Sequence, residues 1–530
     1  MGERPVSTQD WRKRPGWKLR PPLDEQTQAI VVSGFGGLPT GWALFLEFGW
    51  PDAADGESGG GRGAWLKTLA QVAPVTDADG REERVASLAF TYTGLAKTGL
   101  SEATLRSFAP PFREGMYQED RLRRLGDRRS GEWQKTVIPG GPRWSGNVPV
   151  RIGEPSEPAE RASPTDITVH ALLMIYEADG ERADAWARDI ETALAGHSIR
   201  IVHRLPLELR LDEKGIGREH FGYADGVSQP IPFEEGSVVL DGKDCPKDVW
   251  HGVPLGDFLI GHTDAHHEKS PGPVVPIDSE GKIDQSMLTA EGAPAGFLNF
   301  GLNGSYMVVR ELKQDVAQFW ESMEKGAAHL RARDPDNTPD VTADWIANRV
   351  VGRNTDGALL CPKGFLPPDA YGQPENEFGF FASDYQGHGC PPGSHVRRAN
   401  PRDALAPNEG ARQTLLDAAN NHRILRRGRK YGTTLARGAP DDGKDRGLLF
   451  VCLNTDIARQ FEFVQQTWLL NSTFATLYHE TDPLIGPPGK LTIREDPLRR
   501  IVDVETFVQL AGGEYFFLPS MAALAYLAVL

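Results

Sequence analysis

The chain contains two series of strand-like and helix-like segments in similar order, which limits it to a small set of folds. The first series has strand-like and helical patterns at 29–33, 42–48, 65–69, 85–92, 168–176, 182–194 and 199–204. The second series follows a loop at 262–282 rich in Gly, Pro and His, with patterns at 304–310, 314–331, 447–453, 457–469 and 514–517. The connections are too long for a regular parallel βαβ array, so the pattern predicts an α+β fold with two similar halves.

The segment from Cys390 to Asp403, CPPGSHVRRANPRD, places one histidine between a rigid turn and a cluster of arginines. Proline fixes the backbone in front of His395, so its imidazole is oriented before any ligand arrives. Arginines suit carboxylates such as the propionates of a haem, and an oriented histidine beside them is what an iron ligand requires. The alternative interpretation is a structural turn followed by a basic surface loop.

A second segment, HFGYADGVSQP at 220–230, places the carboxylate of Asp225 between Gly222 and Gly226. Glycine on either side allows the backbone to approach a flat ligand closely and leaves the carboxylate unobstructed. This arrangement predicts a general acid/base presented into a pocket. A simple Asp-Gly turn would give the same sequence.

A third segment, HRILRRGRKYG at 422–432, contains four cationic side chains within five residues. An exposed basic face is the usual explanation for such a run. The alternative is a buried arginine directed at negative charge that develops during a reaction.

Together, these three segments resemble those of the dye-decolourising (DyP-type) haem peroxidases. GYADG at 222–226 is similar to the GxxDG signature of that family, and SHVRRANPR at 394–402 is similar to its proximal-histidine segment. LRRG at 425–428, with the following YG, resembles its distal-arginine segment, and the resemblance extends from Gln28 to Leu527.

The resemblance implies an α+β fold of two ferredoxin-like α/β-sandwich halves, of the dimeric α+β barrel type. We expect an N-terminal arm at 1–25 and an N-terminal ferredoxin-like domain at 26–235 that ends in the GxxDG segment. A C-terminal ferredoxin-like domain at 236–530 is expected to bind most of the haem.

The resemblance also implies roles for eight residues. His395 is expected to be the proximal ligand of the haem iron, with Asp456 and Glu462 as candidates for the carboxylate behind it. Asp225 is expected to take a proton from hydrogen peroxide and return it to the leaving oxygen, while Arg426 stabilises the negative charge that develops as the O–O bond breaks. The remaining cofactor contacts are expected from Arg402 near a propionate and from Gly226, Ser228, Leu448 and Phe450.

The activity that the resemblance implies is reduction of hydrogen peroxide by a protein with one haem b per chain, coupled to oxidation of organic donors such as dyes and phenols. Three alternatives stay open from the residues alone. They are a haem carrier or sensor, a haem enzyme of another type (sulfide oxygenation or iron release from haem), and a haem-free α+β binding module. Monomer and homodimer are equally compatible with the sequence.

The composition restricts the expected partners. The net charge of −15 argues against nucleic acid or an anionic membrane as the main partner. The N-terminal residues show neither the apolar core of a signal peptide nor a twin-arginine signature, and the apolar run at 515–530 is interrupted by Pro519 and Ser520. Four cysteines without a CxxC pair fit a reduced environment, and we expect a cytoplasmic protein.

Overall fold

The structure is a computed structural model that describes residues 17–50, 61–80, 83–148, 165–240, 242–245, 252–360, 378–495 and 498–530. Most of the predicted N-terminal arm, at 1–16, therefore lies outside the described residues. The rest of the arm begins with the strand Trp17–Leu19, which pairs antiparallel with Val238–Leu240. Trp17 and Leu19 are buried, so this part of the arm packs against the body of the protein.

The first half of the described chain folds as a βαββαβ unit. Its elements are β1 (Thr40–Phe48), α1 (Ala64–Val72), β2 (Arg84–Phe90), β3 (Ala171–Glu177), α2 (Gly180–Ala195) and β4 (Ile199–Glu208). The strands are antiparallel in the order β2-β3-β1-β4, which is the ferredoxin-like topology. Alternating apolar residues on these strands face the two helices, as the sequence pattern predicts.

The second half repeats this topology. Its strands are β5 (Ser305–Gln314), β6 (Leu425–Arg426), β7 (Arg429–Tyr431), β8 (Gly447–Asn454) and β9 (Val508–Leu518), and helix α3 (Val316–Arg333) follows β5. β6 and β7 both pair with β8 and act as one interrupted strand, so the sheet order is β9-β5-β8-β6/β7. The expected α+β fold of two ferredoxin-like halves is therefore confirmed.

The two sheets join edge to edge in the described part of the chain and close into a barrel. β2 pairs with β9 through Phe90 and Phe517, and β4 pairs with β7 through Glu208 and Lys430. Closure leaves the sheet without long free edges. Apolar side chains from both halves fill the interior, among them Phe45, Leu172, Met174, Leu205, Met307, Val309, Leu449, Val451 and Phe516.

The remaining elements surround the barrel. The other α-helices in the described residues are Leu23–Gln26, Tyr92–Lys97, Glu102–Arg106, Pro110–Glu114, Glu119–Leu125, Ala343–Val351, Phe380–Ser383, His395–Ala399, Arg412–Asn420 and Met521–Leu527. A two-stranded hairpin, Gly489–Arg494 with Arg499–Val504, packs on α3. None of the helices in the described ranges has both the length and the apolar character needed to cross a membrane.

Two elements differ from the sequence predictions. Residues 29–33, predicted as a strand, contain the 3-10 helix Ala29–Val31, because the carbonyls of Ile30 and Val31 accept hydrogen bonds from the buried guanidinium of Arg427 rather than from a neighbouring strand. The helix predicted at 457–469 is present but π-helical, at Ala458–Glu462 and Val464–Leu469. π-Helical turns are rare in proteins, but where they occur they are often found at functional sites. These two segments lie beside the cavity described below.

Candidate active site

A cavity of about 320 Å³ lies on the face of the second sheet that is turned away from the barrel interior. Alternate residues of β5 and β9 form its floor, because side chains of a strand point in turn to opposite faces. All eight residues predicted from the sequence line this cavity: Asp225, Gly226, Ser228, His395, Arg402, Arg426, Leu448 and Phe450. Most of the lining comes from 310–510, and the first half of the chain contributes 125–136 and 219–228.

His395 begins a short helix, His395–Ala399, that follows the turn with the two prolines. Its Nδ1 lies 3.0 Å from Oδ2 of Asp482, whose side chain is fully buried. The other carboxylate oxygen of Asp482 accepts the amides of Leu484 and Ile485, each at 2.9 Å. The imidazole is therefore fixed through Nδ1, which leaves Nε2 as the ring nitrogen for a ligand in the cavity.

The charge state of Asp482 follows from these contacts. Burial alone would raise its pKa, but the neighbouring His395, the amide of Ile485 and the charge of Arg398 hold the pKa of Asp482 below its ordinary value. An ionised carboxylate thus accepts the Nδ1 proton of the imidazole. Asp456 and Glu462, the carboxylates predicted to bind His395, were wrong. Asp456 accepts the backbone amide of Arg459, and Glu462 accepts hydrogen bonds from Arg121 and Tyr515.

The segment with Asp225 is a tight loop with two residues in the left-handed region. Gly222 has φ +100° and Gly226 has φ +67°, conformations that residues with a Cβ rarely adopt. The amide of Gly226 donates to the carboxylate of Asp225 at 2.5 Å, and the amide of Asp225 donates to the carbonyl of Gly217 at 2.9 Å. Asp225 is exposed, so its carboxylate can exchange protons with solvent.

Arg426 lies on β6 at the edge of the cavity and is tied to the loop of Asp225. Its Nη2 donates to the carbonyl of Ser228 at 2.6 Å, and its amide donates to the side chain of Gln229 at 3.1 Å. The run at 422–432 is not an exposed basic face, since Arg423, Arg427 and Arg429 are buried.

Three buried arginines, Arg353, Arg402 and Arg423, meet in the wall of the cavity. Burial and the nearby charges of Arg353 and Arg423 lower the pKa of Arg402 well below its ordinary value. Burial and the charge of Arg426 lower the pKa of Arg423 to about 9. Because these cations repel one another, this wall favours an anionic ligand.

The residues present fit a haem. The cavity offers an oriented imidazole, apolar side chains such as Leu448 and Phe450, and arginines that suit propionates. Three buried polar atoms without a hydrogen-bond partner belong to described residues that line the same space: Oγ of Ser228, Oε1 of Gln314 and Oδ1 of Asn400. The other arginines of the histidine segment are engaged elsewhere, because Arg397 and Arg398 donate to backbone carbonyls.

Sequence reasoning missed three groups of this site. Asp482 had no motif around it, and its contact with His395 spans 87 residues of chain. Arg423 stood within the basic run at 422–432 without a role of its own, and the pair Gly352-Arg353 was only a weak match to the family, with no role expected for the arginine. Only the tertiary structure shows that both are buried beside Arg402.

Comparison with known proteins relates most of the chain to peroxidases. The multifunctional dye peroxidase DyP2 of Amycolatopsis sp. is 30% identical over 380 residues, which are 67% of this chain and 71% of the relative. The dye-decolorizing peroxidase msp1 of Mycetinis scorodonius is 26% identical over 467 residues, 83% of this chain and 75% of the relative. The DyP-type peroxidase of Anabaena sp. superposes with a TM-score of 0.66 at 23% identity, over 95% of this chain and 94% of that one. No family model matches the chain.

These relationships define the class of the protein as a peroxidase, an oxidoreductase that acts on peroxide. The chain belongs to the dye-decolorizing peroxidase family, whose members depend on haem.

Proposed function

We propose that this chain binds one haem b and reduces hydrogen peroxide while it oxidises organic donors such as dyes and phenols. The observation that carries the proposal is that His395, Asp225 and Arg426 line one cavity whose wall also holds three buried arginines. Bound haem would supply the redox chemistry, and the protein would supply the ligand, the proton transfer and the compensating charge. Each peroxide takes two electrons from two donor molecules and, with two protons, yields two molecules of water.

Each residue has a distinct task in this proposal. His395 would hold the haem iron through Nε2, because its Nδ1 proton is held by Asp482. The carboxylate of Asp225 accepts a proton from one peroxide oxygen and returns it to the other, which leaves as water. The guanidinium of Arg426 stabilises the negative charge on the departing oxygen. Arg402 would pair with a propionate of the haem, and Gly226, Ser228, Leu448 and Phe450 would contact the macrocycle.

A peroxidase of this kind would be distinguished from a haem carrier or sensor by turnover. The test is an absorption spectrum of the haem-loaded protein before and after addition of peroxide, followed by product analysis with a dye, a phenol and a sulfide. We expect rapid change of the haem band and oxidation of the dye and the phenol. A haem-loaded protein that leaves peroxide unchanged would support the carrier, and a protein that shows no haem band after reconstitution would support the haem-free module.

The role of Asp225 is tested by the pH–rate profile of the reaction with peroxide. A carboxylate base stays ionised at pH values where an imidazole base is already protonated, so we expect the reaction to continue, at a reduced rate, below about pH 6 and to suffer a large loss with Asp225→Asn. Asp503→Asn, an exposed aspartate on the hairpin Arg499–Val504, is the control and should keep the wild-type rate. An unchanged rate with Asp225→Asn would remove this residue from the mechanism.

The domain boundaries expected at residues 25 and 235, and the cytoplasmic location, stay predictions. The haem would lie mainly against the C-terminal half in this proposal, because 310–510 supplies most of the cavity lining.

A further inference from the structure

Glu219 closes the loop that presents Asp225 by binding its backbone. One carboxylate oxygen of Glu219 accepts the amide of Phe221 and the other accepts the amide of Tyr223, both at 2.8 Å. The main chain adds two further bonds across the same turn, since the amide of Glu219 donates to the carbonyl of Tyr223 and the amide of Gly222 donates to the carbonyl of Glu219. Four hydrogen bonds therefore fix the turn that precedes Asp225.

A second contact joins Glu219 to the floor of the cavity. The side-chain amide of Gln314, the last residue of β5, donates to the same oxygen of Glu219 that binds Phe221, at 2.7 Å. Both Glu219 and Gln314 line the cavity. The turn before Asp225 is thus attached to the barrel strand through a carboxylate that has three donors on its two oxygens.

We propose that Glu219 is a positioning residue for the reaction with peroxide, because its ionised carboxylate holds the backbone from which Asp225 acts. The inference rests on the function proposed above and adds a residue outside the GxxDG segment. A proton on Glu219 would convert one acceptor oxygen into a donor, so at least one of the three donors would lose its partner. The loop at 221–228 would then sample other conformations, and Asp225 would spend less time beside bound peroxide.

The surroundings of Glu219 bring this change into an accessible pH range. Burial, helped by the charge of Asp225, raises the pKa of Glu219 to about 6, against the lowering effect of the amides of Phe221 and Tyr223 and the side chain of Gln314. The other ionisable groups that face it are Lys430 on β7 and the phenol of Tyr223. Burial raises the pKa of Tyr223 above its ordinary range, so the phenol stays neutral.

The experiment measures amide hydrogen exchange of the segment 221–225 in the haem-loaded protein at several pH values from 5 to 7.5. Exchange rates are corrected for the intrinsic effect of pH. In the wild type, we expect protection of these amides to fall about tenfold as the pH decreases through 6, which corresponds to the loss of one hydrogen bond. Glu219→Gln keeps the size of the side chain and should show the low protection at every pH.

A matched control comes from Glu514, a buried glutamate on β9 that binds the amides of Met116, Gly146 and Tyr515. Glu514→Gln should loosen those amides and leave the protection of 221–225 at the wild-type level. The rate with peroxide supplies the second readout. Wild type and Glu514→Gln should share a decrease of rate below pH 6, whereas Glu219→Gln should react about tenfold more slowly at pH 7.5 and lack this step.

The outcomes separate this inference from the proposed function. Equal protection of 221–225 in wild type and Glu219→Gln, with no pH dependence in the wild type, would overturn the role of Glu219 even if peroxide turnover is fast. Since the wild-type titration needs no variant, a poorly folded Glu219→Gln would not prevent this result from being obtained. A different outcome is pH-dependent protection of 221–225 in a protein that does not turn over peroxide. This would contradict the proposed function but would still support the contact between Glu219 and the loop.

Discussion

Nδ1 of His395 donates to the buried carboxylate of Asp482 at 3.0 Å, and this pair fixes the orientation of the imidazole in the cavity. The backbone amides of Leu484 and Ile485 hold the carboxylate from the other side. A negatively charged partner makes an imidazole a stronger electron donor to a metal. Asp482 therefore affects both the position of the ligand and its electronic character.

Asp482→Asn should raise the reduction potential of the haem iron and weaken iron binding. A neutral amide accepts the Nδ1 proton more weakly than a carboxylate does, so the imidazole donates less electron density to the iron. The ferric state then loses stabilisation relative to the ferrous state. Loss of such a partner changes metal affinity by about 10- to 100-fold. A loss of this size in the ferric affinity relative to the ferrous affinity corresponds to a rise of about 60 to 120 mV for one electron. Spectroelectrochemical titration of the haem-loaded proteins checks this, and a potential equal to that of the wild type would contradict it.

Arg426→Leu should slow the reaction with peroxide by about 10²- to 10³-fold, the usual effect of removing one charge-stabilising donor. Arg426→Lys keeps the positive charge but loses the guanidinium geometry that reaches the carbonyl of Ser228, so its rate should lie between the other two. Stopped-flow absorption at increasing peroxide concentration gives the rate constants. Equal rates for wild type and Arg426→Leu would exclude a role for this charge.

Arg402→Gln should weaken haem binding about 10- to 100-fold, as expected for the loss of one charge-assisted hydrogen bond. Arg402 is buried in the cavity wall and also donates to the carbonyl of Phe378. Transfer of haem to an excess of a competing haem-binding protein measures the dissociation. Arg499→Gln, at an exposed position of the hairpin, serves as control and should release haem at the wild-type rate.

Glu514 should make the stability of the protein depend on pH. Burial raises its pKa to about 7 in the folded state, against an ordinary value of 4.5, despite hydrogen bonds from three amides. The stabilisation linked to this raised pKa is complete below pH 4.5 and is lost as the pH rises through 7. The free energy of unfolding of Glu514→Gln relative to wild type should therefore increase by about 3 kcal/mol between pH 4.5 and 7.5.

Denaturant unfolding of the haem-loaded wild type and Glu514→Gln at both pH values checks this difference. The same measurement on Asp503→Asn should show no pH-dependent difference, because this aspartate is exposed. A constant difference between wild type and Glu514→Gln across the range would show that Glu514 keeps an ordinary pKa.

The alternating segments of the sequence predicted the two halves and most of their strands, because apolar periodicity follows from local burial. The same reasoning failed at 29–33, where the buried guanidinium of Arg427 takes the carbonyls of Ile30 and Val31 and prevents strand pairing. Contacts between distant parts of the chain determine the secondary structure of such a segment, and the local sequence pattern does not predict those contacts.

The residues of the site also fall into two groups, those that the sequence predicted and those that only the structure shows. Asp225, His395 and Arg426 stood in recognisable segments, and the structure brings them to one cavity. Asp482 and Glu219 had no such signal, since their importance comes from the donors that surround their carboxylates. The sequence favoured Arg402 over Arg397 and Arg398 as the propionate partner, and the fold gives the physical reason, because it directs the guanidinium groups of Arg397 and Arg398 to backbone carbonyls.

The two seams of the barrel each consist of a single residue pair, Phe90 with Phe517 and Glu208 with Lys430. The halves are therefore joined by the apolar interior that they share and by side-chain hydrogen bonds such as those from Arg427 to the carbonyls of Ile30 and Val31, rather than by a long backbone ladder. A polypeptide cleaved in the exposed loop at 279–282 should for this reason reassemble when its two pieces are produced together. Either piece alone would expose two strand edges and half of an apolar core, and would aggregate.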